Sequence, residues 1–178
     1  MWISWKSNSL RGRYKAMKMS IHISDLEKFI GDTLSGEWLH LPVPEKVLIR
    51  EIGDVCSNIN TYVITEYDGP LNIEQFESVF ELNRFLHRLG RLTEQNQKKV
   101  CFLINVIGCS PEEAMEQYRV VTYYPDLTLK GIALGMLKES DIISQPSSPK
   151  KYIDVEKIMH DLMRDGFYET ESGVFWYF

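Results

Sequence analysis

The spacing of hydrophobic positions changes several times along the chain, and each change marks an element. From Ser20, Ile21-His22-Ile23 alternates apolar and polar residues at the period of a strand. A polar link runs to Gly36, and Glu37-Trp38-Leu39-His40-Leu41 then alternates again until Pro42 and Pro44 stop it. Proline at a first helical position loses no hydrogen bond, so Pro44 can open a helix, with Val47, Leu48 and Ile52 at helical spacing before Gly53. Thr61 to Tyr67 is β-branched and aromatic and closes on Asp68-Gly69-Pro70, a turn signature. Residues 20–70 thus read as strand, strand, helix, strand, a small α+β unit.

The period then becomes helical. Ile73, Phe76, Val79, Phe80, Leu82, Phe85, Leu86 and Leu89 share one side of a long tract that Gly90 ends, with Glu74, Glu77, Glu81, Arg84 and Arg88 on the other side. Thr93 can cap a second helix that runs through Val106 to Gly108. Ser110-Pro111-Glu112-Glu113 combines an N-cap hydroxyl, a first-turn proline and a capping-box glutamate to start a third. Residues 71–118 therefore read as a helical bundle.

Residues 119–178 read as a mixed unit. Val120 to Tyr124 is a strand or an extended run ended by Pro125, residues 127–138 look helical, and residues 144–151 form a loop rich in serine and proline. Val155, Ile158, Met159, Leu162 and Met163 define an amphipathic helix stopping at Gly166. Phe167 to Thr170 and Val174 to Phe178 flank a Glu171-Ser172-Gly173 turn as a terminal hairpin. The fold class expected is α+β, preceded by a basic leader over residues 1–19.

Composition narrows the function. With 44% hydrophobic and 25% charged residues, the chain has the balance of a folded globular protein. Its longest apolar run, Gly131 to Leu137, is far short of the roughly 18–20 residues that span a bilayer. The N-terminus lacks an apolar stretch with a cleavage site, so a cytoplasmic location inside a bacterial host is expected, with no membrane partner. Three dispersed cysteines fit neither a disulfide framework nor a zinc site. The net charge of -5 is uneven: residues 1–20 hold five bases and no acid, leaving -10 for the remainder. That is not the net positive stripe of an ordinary DNA-binding domain.

Candidate chemistry is correspondingly sparse. No phosphate-cradling glycine loop, nucleophile elbow or metal-ligand cluster occurs, and His22, His40, His87 and His160 have no metal-pair spacing. No catalytic residue, cofactor or metal is therefore expected; a histidine beside a cation is the residue set for metal-independent cleavage of RNA, should the chain prove to be an enzyme. The carboxylates are more informative. Glu66 and Asp68, then Glu74, Glu77 and Glu81, then Glu112, Glu113 and Glu116 are spaced either as ordinary solvated faces or as a surface imitating phosphates for a DNA-binding partner.

The order of motifs resembles the ArdA antirestriction family. The resemblance rests on Leu34-Ser35-Gly36-Glu37-Trp38-Leu39-His40-Leu41-Pro42, on Ile64-Thr65-Glu66-Tyr67-Asp68 and on Phe76-Glu77-Ser78-Val79-Phe80-Glu81-Leu82-Asn83-Arg84. It continues in Tyr152-Ile153-Asp154, Asp161-Leu162, Gly166-Phe167 and Glu171-Ser172-Gly173-Val174-Phe175-Trp176. It implies three small domains in an elongated subunit, a homodimer without a catalytic site, and carboxylates that mimic bent B-form DNA and occupy a type I restriction enzyme. The chain departs from that pattern in carrying Arg84, Arg88, Arg91, Lys98 and Lys99 along its middle. Cations within a Debye length of about 8 Å weaken a phosphate-like field. An alternative is therefore an anti-CRISPR protein that binds or processes the guide RNA of a type II effector nuclease, with Arg11, Arg13, Lys15, Arg84, Arg88 and Arg91 as the RNA contact. A non-catalytic host interaction module is the third reading.

Overall fold

A computed structural model describes residues 17–31, 36–76, 78–139 and 153–178. These residues form six strands and seven α-helices in an α+β fold with two three-stranded antiparallel sheets. The chain divides into two compact units, Met1–Pro111 and Glu112–Phe178.

In the first unit, β1 (Met19–Asp25) lies between β2 (Gly36–Leu41) and β3 (Tyr62–Asp68). Alternation sends Met19, Ile21, Ile23, Leu39 and Leu41 to one face, where all are buried. The helix α2 (Glu45–Val55) packs on β1 and β2 and buries Leu48 and Ile52. The short α1 (Leu26–Ile30) is capped by Asp25, whose carboxylate accepts from the Glu27, Lys28 and Ser57 amides at 2.9, 3.4 and 2.9 Å. Those bonds, led by Ser57, hold the Asp25 carboxyl below its ordinary pKa.

The helices α3 (Val79–Leu89) and α4 (Glu94–Phe102) complete this unit, and a π-helical turn, Leu103–Ile107, carries α4 on to Gly108. Gly108 adopts φ +82°, the left-handed conformation that lets the Cys109 amide reach back to the Leu103 carbonyl. Two side-chain amides, the buried Asn83 and the exposed Asn105, brace the loops. Asn83 on α3 accepts from the Val43 amide and donates to the Val43 carbonyl, both at 2.9 Å. Asn105 accepts from the Asn72 amide at 2.8 Å and donates to the Pro70 carbonyl at 2.6 Å. Burial pushes the Cys101 thiol up to about 12, and its sulfur lies 3.5 Å from that of Met17.

The second unit begins with α5 (Pro111–Gln117), which starts at the boundary. Its sheet places β6 (Gly173–Trp176) between β4 (Thr122–Pro125) and β5 (Phe167–Thr170). The helices α6 (Leu129–Glu139) and α7 (Val155–Arg164) pack together over it, around Leu129, Ala133, Leu162 and Val174. Val174 and Phe175 are buried in the core, Trp176 and Tyr177 are half-buried, and Phe178 is exposed.

Four boundaries differ from the sequence reading. β1 starts at Met19, inside the stretch assigned to the leader, because Met19 pairs with Leu41 and is buried. The polar link after β1 contains α1, which Asp25 initiates. The tract beginning at Ile73 is interrupted: Asn72 caps a single 3-10 turn, Ile73–Gln75, Phe76 is extended, and α3 starts only after Ser78. Ser78 Oγ accepts from the Glu81 amide, and Val79 N–H donates to Tyr62 Oη at 3.0 Å. Finally, α2 passes through Gly53 to Val55, because a glycine inside a helix costs only about 1 kcal/mol relative to alanine and does not by itself end it.

Candidate functional site

The carboxylates singled out from sequence sit on different elements, and the fold leaves them at the surface. Glu66 and Asp68 lie two residues apart on the edge strand β3 and are exposed. Alternation puts both on the face opposite the core, at a separation of roughly 6.6–6.8 Å. Glu74 is exposed on the 3-10 turn, and Glu81, half-buried in the first turn of α3, pairs with Arg84 at 4.0 Å. Glu112, Glu113 and Glu116 are exposed on α5 and belong to the second unit. Glu77 lies outside the described residues, as do Arg11, Arg13 and Lys15. Arg84, Arg88 and Arg91 are all exposed, on α3 and just beyond it. At 61% and 44% side-chain exposure, the Arg84–Glu81 pair is worth only a few tenths of a kcal/mol.

Around Glu66 and Asp68 the sheet assembles residues that sequence spacing did not join. The register sets Asp68, Ser20 and His40 in one row across β3, β1 and β2, and Glu66, His22 and Trp38 in the next. A register shift between His22 and Ile23 leaves Thr65 as the extra residue of β3. Its hydroxyl lies 2.6 Å from His22 Nδ1, while Ser20 Oγ lies 2.8 Å from His40 Nδ1. Trp38, 45% exposed, meets the His22 ring edge-on at 5.4 Å. Gly36 makes this possible, because a Cβ there would run into the Ile23 carbonyl oxygen and the His22 ring. The cross-strand alternation of Ser20, His22, Trp38, His40, Glu66 and Asp68 was visible in sequence; the register was not.

Among the described residues no group of three or more histidine, cysteine, aspartate or glutamate side chains converges to hold a metal ion. No helix among them is long and apolar enough to cross a membrane. The two small α+β units display these charged side chains on solvent-facing strands and helices, an arrangement shared by many kinds of protein. Comparison with known families identifies which kind. The family described as antirestriction protein (ArdA) matches residues 21–176, and the chain belongs to the ArdA antirestriction family, whose members act against host restriction enzymes. A comparison with curated proteins gave no match.

Proposed function

We propose that this protein inhibits a host restriction enzyme by occupying its DNA-binding channel with surface carboxylates in place of phosphates, and that it does so as a homodimer. The observation that carries this reading is the display of Glu66, Asp68, Glu74, Glu112, Glu113 and Glu116 as exposed side chains in a family that acts against restriction. The spacing along β3 supports it: about 6.8 Å is twice the roughly 3.4 Å axial interval between phosphates of one DNA strand. A basic channel attracts such a surface through long-range electrostatics, and salt screens that attraction.

The test is inhibition of a type I restriction enzyme in a salt series, using charge reversal to lysine in three sets: Glu66 with Asp68; Glu74 with Glu81; Glu112, Glu113 and Glu116 together. At least one set should weaken inhibition about tenfold or more, with a flatter salt dependence. Alanine at Arg84, Arg88 and Arg91 should preserve or strengthen inhibition. Undiminished inhibition by all three reversal sets would overturn the mimicry reading. The exposed Arg84 and Arg88, one helical turn apart on α3, favour a second reading in which the chain binds guide RNA of a type II CRISPR effector. That reading holds if the arginine variant alone loses both RNA binding and inhibition of that effector.

A further inference from the structure

At the end of the second unit's sheet lies an open depression lined by Tyr124, Asp165, Phe167, Trp176 and Phe178. Its aromatic rings form a row, not a closed box. Tyr124 and Phe167 are 6.3 Å apart at 18°, and Phe167 and Trp176 are 6.1 Å apart at 34°. Gly166, at φ +85°, turns the chain from α7 into β5, and the Tyr177 carbonyl occupies the place a Cβ would take. The Trp176 indole N–H donates to the Asp165 carbonyl at 2.9 Å, which fixes the ring beside the helix end.

The electrostatics of this depression are unusual for a helix terminus. Asp165 is the C-cap of the ten-residue α7, where the helix already presents partial negative charge and a cation is the favoured neighbour. Among the described residues its carboxylate has no hydrogen-bond or ion-pair partner, since the adjacent Arg164 pairs with Asp161 at 3.8 Å. Residues 112–178 hold twelve acids against seven bases, so the whole unit adds to the negative potential. Aromatic faces, a helix C-terminus and an unpaired carboxylate all attract a cation.

We propose that this depression binds the guanidinium group of an arginine side chain presented by a protein partner. Arginine is favoured over a quaternary or simple ammonium because a flat ion can lie parallel to a single aromatic face while its edge donates to a carboxylate. A compact ammonium instead needs walls on several sides. The choice of a protein partner rests on the reading above, in which the chain enters a DNA-binding channel, because such channels are lined by arginines that otherwise hold phosphates.

The binding step can be tested without any nuclease. A short blocked peptide carrying one arginine is titrated into the full-length protein, and the indole N–H resonance of Trp176, assigned with Trp176→Phe, is followed by NMR. Peptides with lysine or with neutral citrulline at the same place serve as controls. Saturable movement of the Trp176 signal with the arginine peptide is expected, at least fivefold tighter than with either control. Asp165→Asn and Phe178→Ala should each weaken it several-fold. Both positions are exposed, Phe178 at 96%, so these variants keep the fold even if replacing Trp176 does not. No movement, equal movement with citrulline, or full binding by Asp165→Asn overturns the proposal. Undiminished nuclease inhibition by Asp165→Asn in the case of a silent titration would remove this site and leave the mimicry reading standing.

Discussion

Single residues do two kinds of work here, and Asp25 shows the structural kind. It is buried, yet its two oxygens serve three backbone amides, joining the start of α1 to Ser57 after α2. Because the folded-state pKa is depressed, the stabilisation is present above the ordinary carboxylate value, near 3.9, and is lost as pH falls through the folded value. Asp25→Asn leaves one accepting oxygen and turns an NH2 group toward a donor. Its melting temperature at pH 7 should fall by several degrees, and the gap from the parent should close below about pH 4. A gap of constant size across melts at pH 3, 5 and 7 would assign the effect to packing instead of charge. The exposed carboxylates do the other kind of work. Glu66 and Asp68 serve no such backbone role, which leaves them available for a partner.

Among the α-helices, α3 buries the most residues. Its apolar side buries Val79, Leu82, Phe85, Leu86 and Leu89, while Asn83 holds both polar groups of Val43 and His87 Nε2 lies 2.9 Å from the same carbonyl. Asn83→Ala leaves the half-buried Val43 amide without its partner, and losing such a hydrogen bond costs about 1 kcal/mol, up to about 3 kcal/mol where water does not replace it. The urea midpoint should drop accordingly with the slope unchanged. Arg84, next to Asn83 but on the exposed side of the same helix, is the contrasting case. Arg84→Ala should move the midpoint by no more than a few tenths of a kcal/mol, so the arginine variants used to test RNA contact report binding and not unfolding.

For the whole molecule, charge and association decide what can be inhibited. Residues 1–111 balance thirteen acids with thirteen bases, five of the bases falling in the first 20 residues, while residues 112–178 carry the entire net charge of -5. The acidic field of residues 21–111 is therefore sensitive to where the leader cations lie. The proposed homodimer would present a second copy of the acidic surface, and α1 displays Leu26, Phe29 and Ile30 to solvent at 38, 41 and 74% exposure. Sedimentation at micromolar concentration should show a species near twice the 20.8 kDa chain mass. Phe29→Ser with Ile30→Ser should shift it toward the monomer. Only monomer at every concentration for the parent protein would end the dimer proposal.

The sequence alone determined the elements whose signal is local. Alternation gave β2, β-branched and aromatic content before a turn gave β3, Gly108 ended the second long helix, and the Ser-Pro-Glu-Glu start placed α5, because caps, turns and local composition depend on a few neighbouring residues. The break before α3 was also written locally, in Ser78-Val79-Phe80-Glu81, but the apolar period running through Phe76 and Val79 masked it. Tertiary structure decided the rest. Whether Val120 to Tyr124 pairs, that Met19 belongs to a strand, and that Glu66, His22 and Trp38 share a row all depend on register. Register is set by which face can be buried against α2, a contact between residues far apart in the chain. The same holds for Asp165 and Trp176: neither stands out in sequence, and only the return of β6 beside the end of α7 brings the Asp165 carbonyl to the Trp176 indole N–H and sets the residue beside an aromatic row.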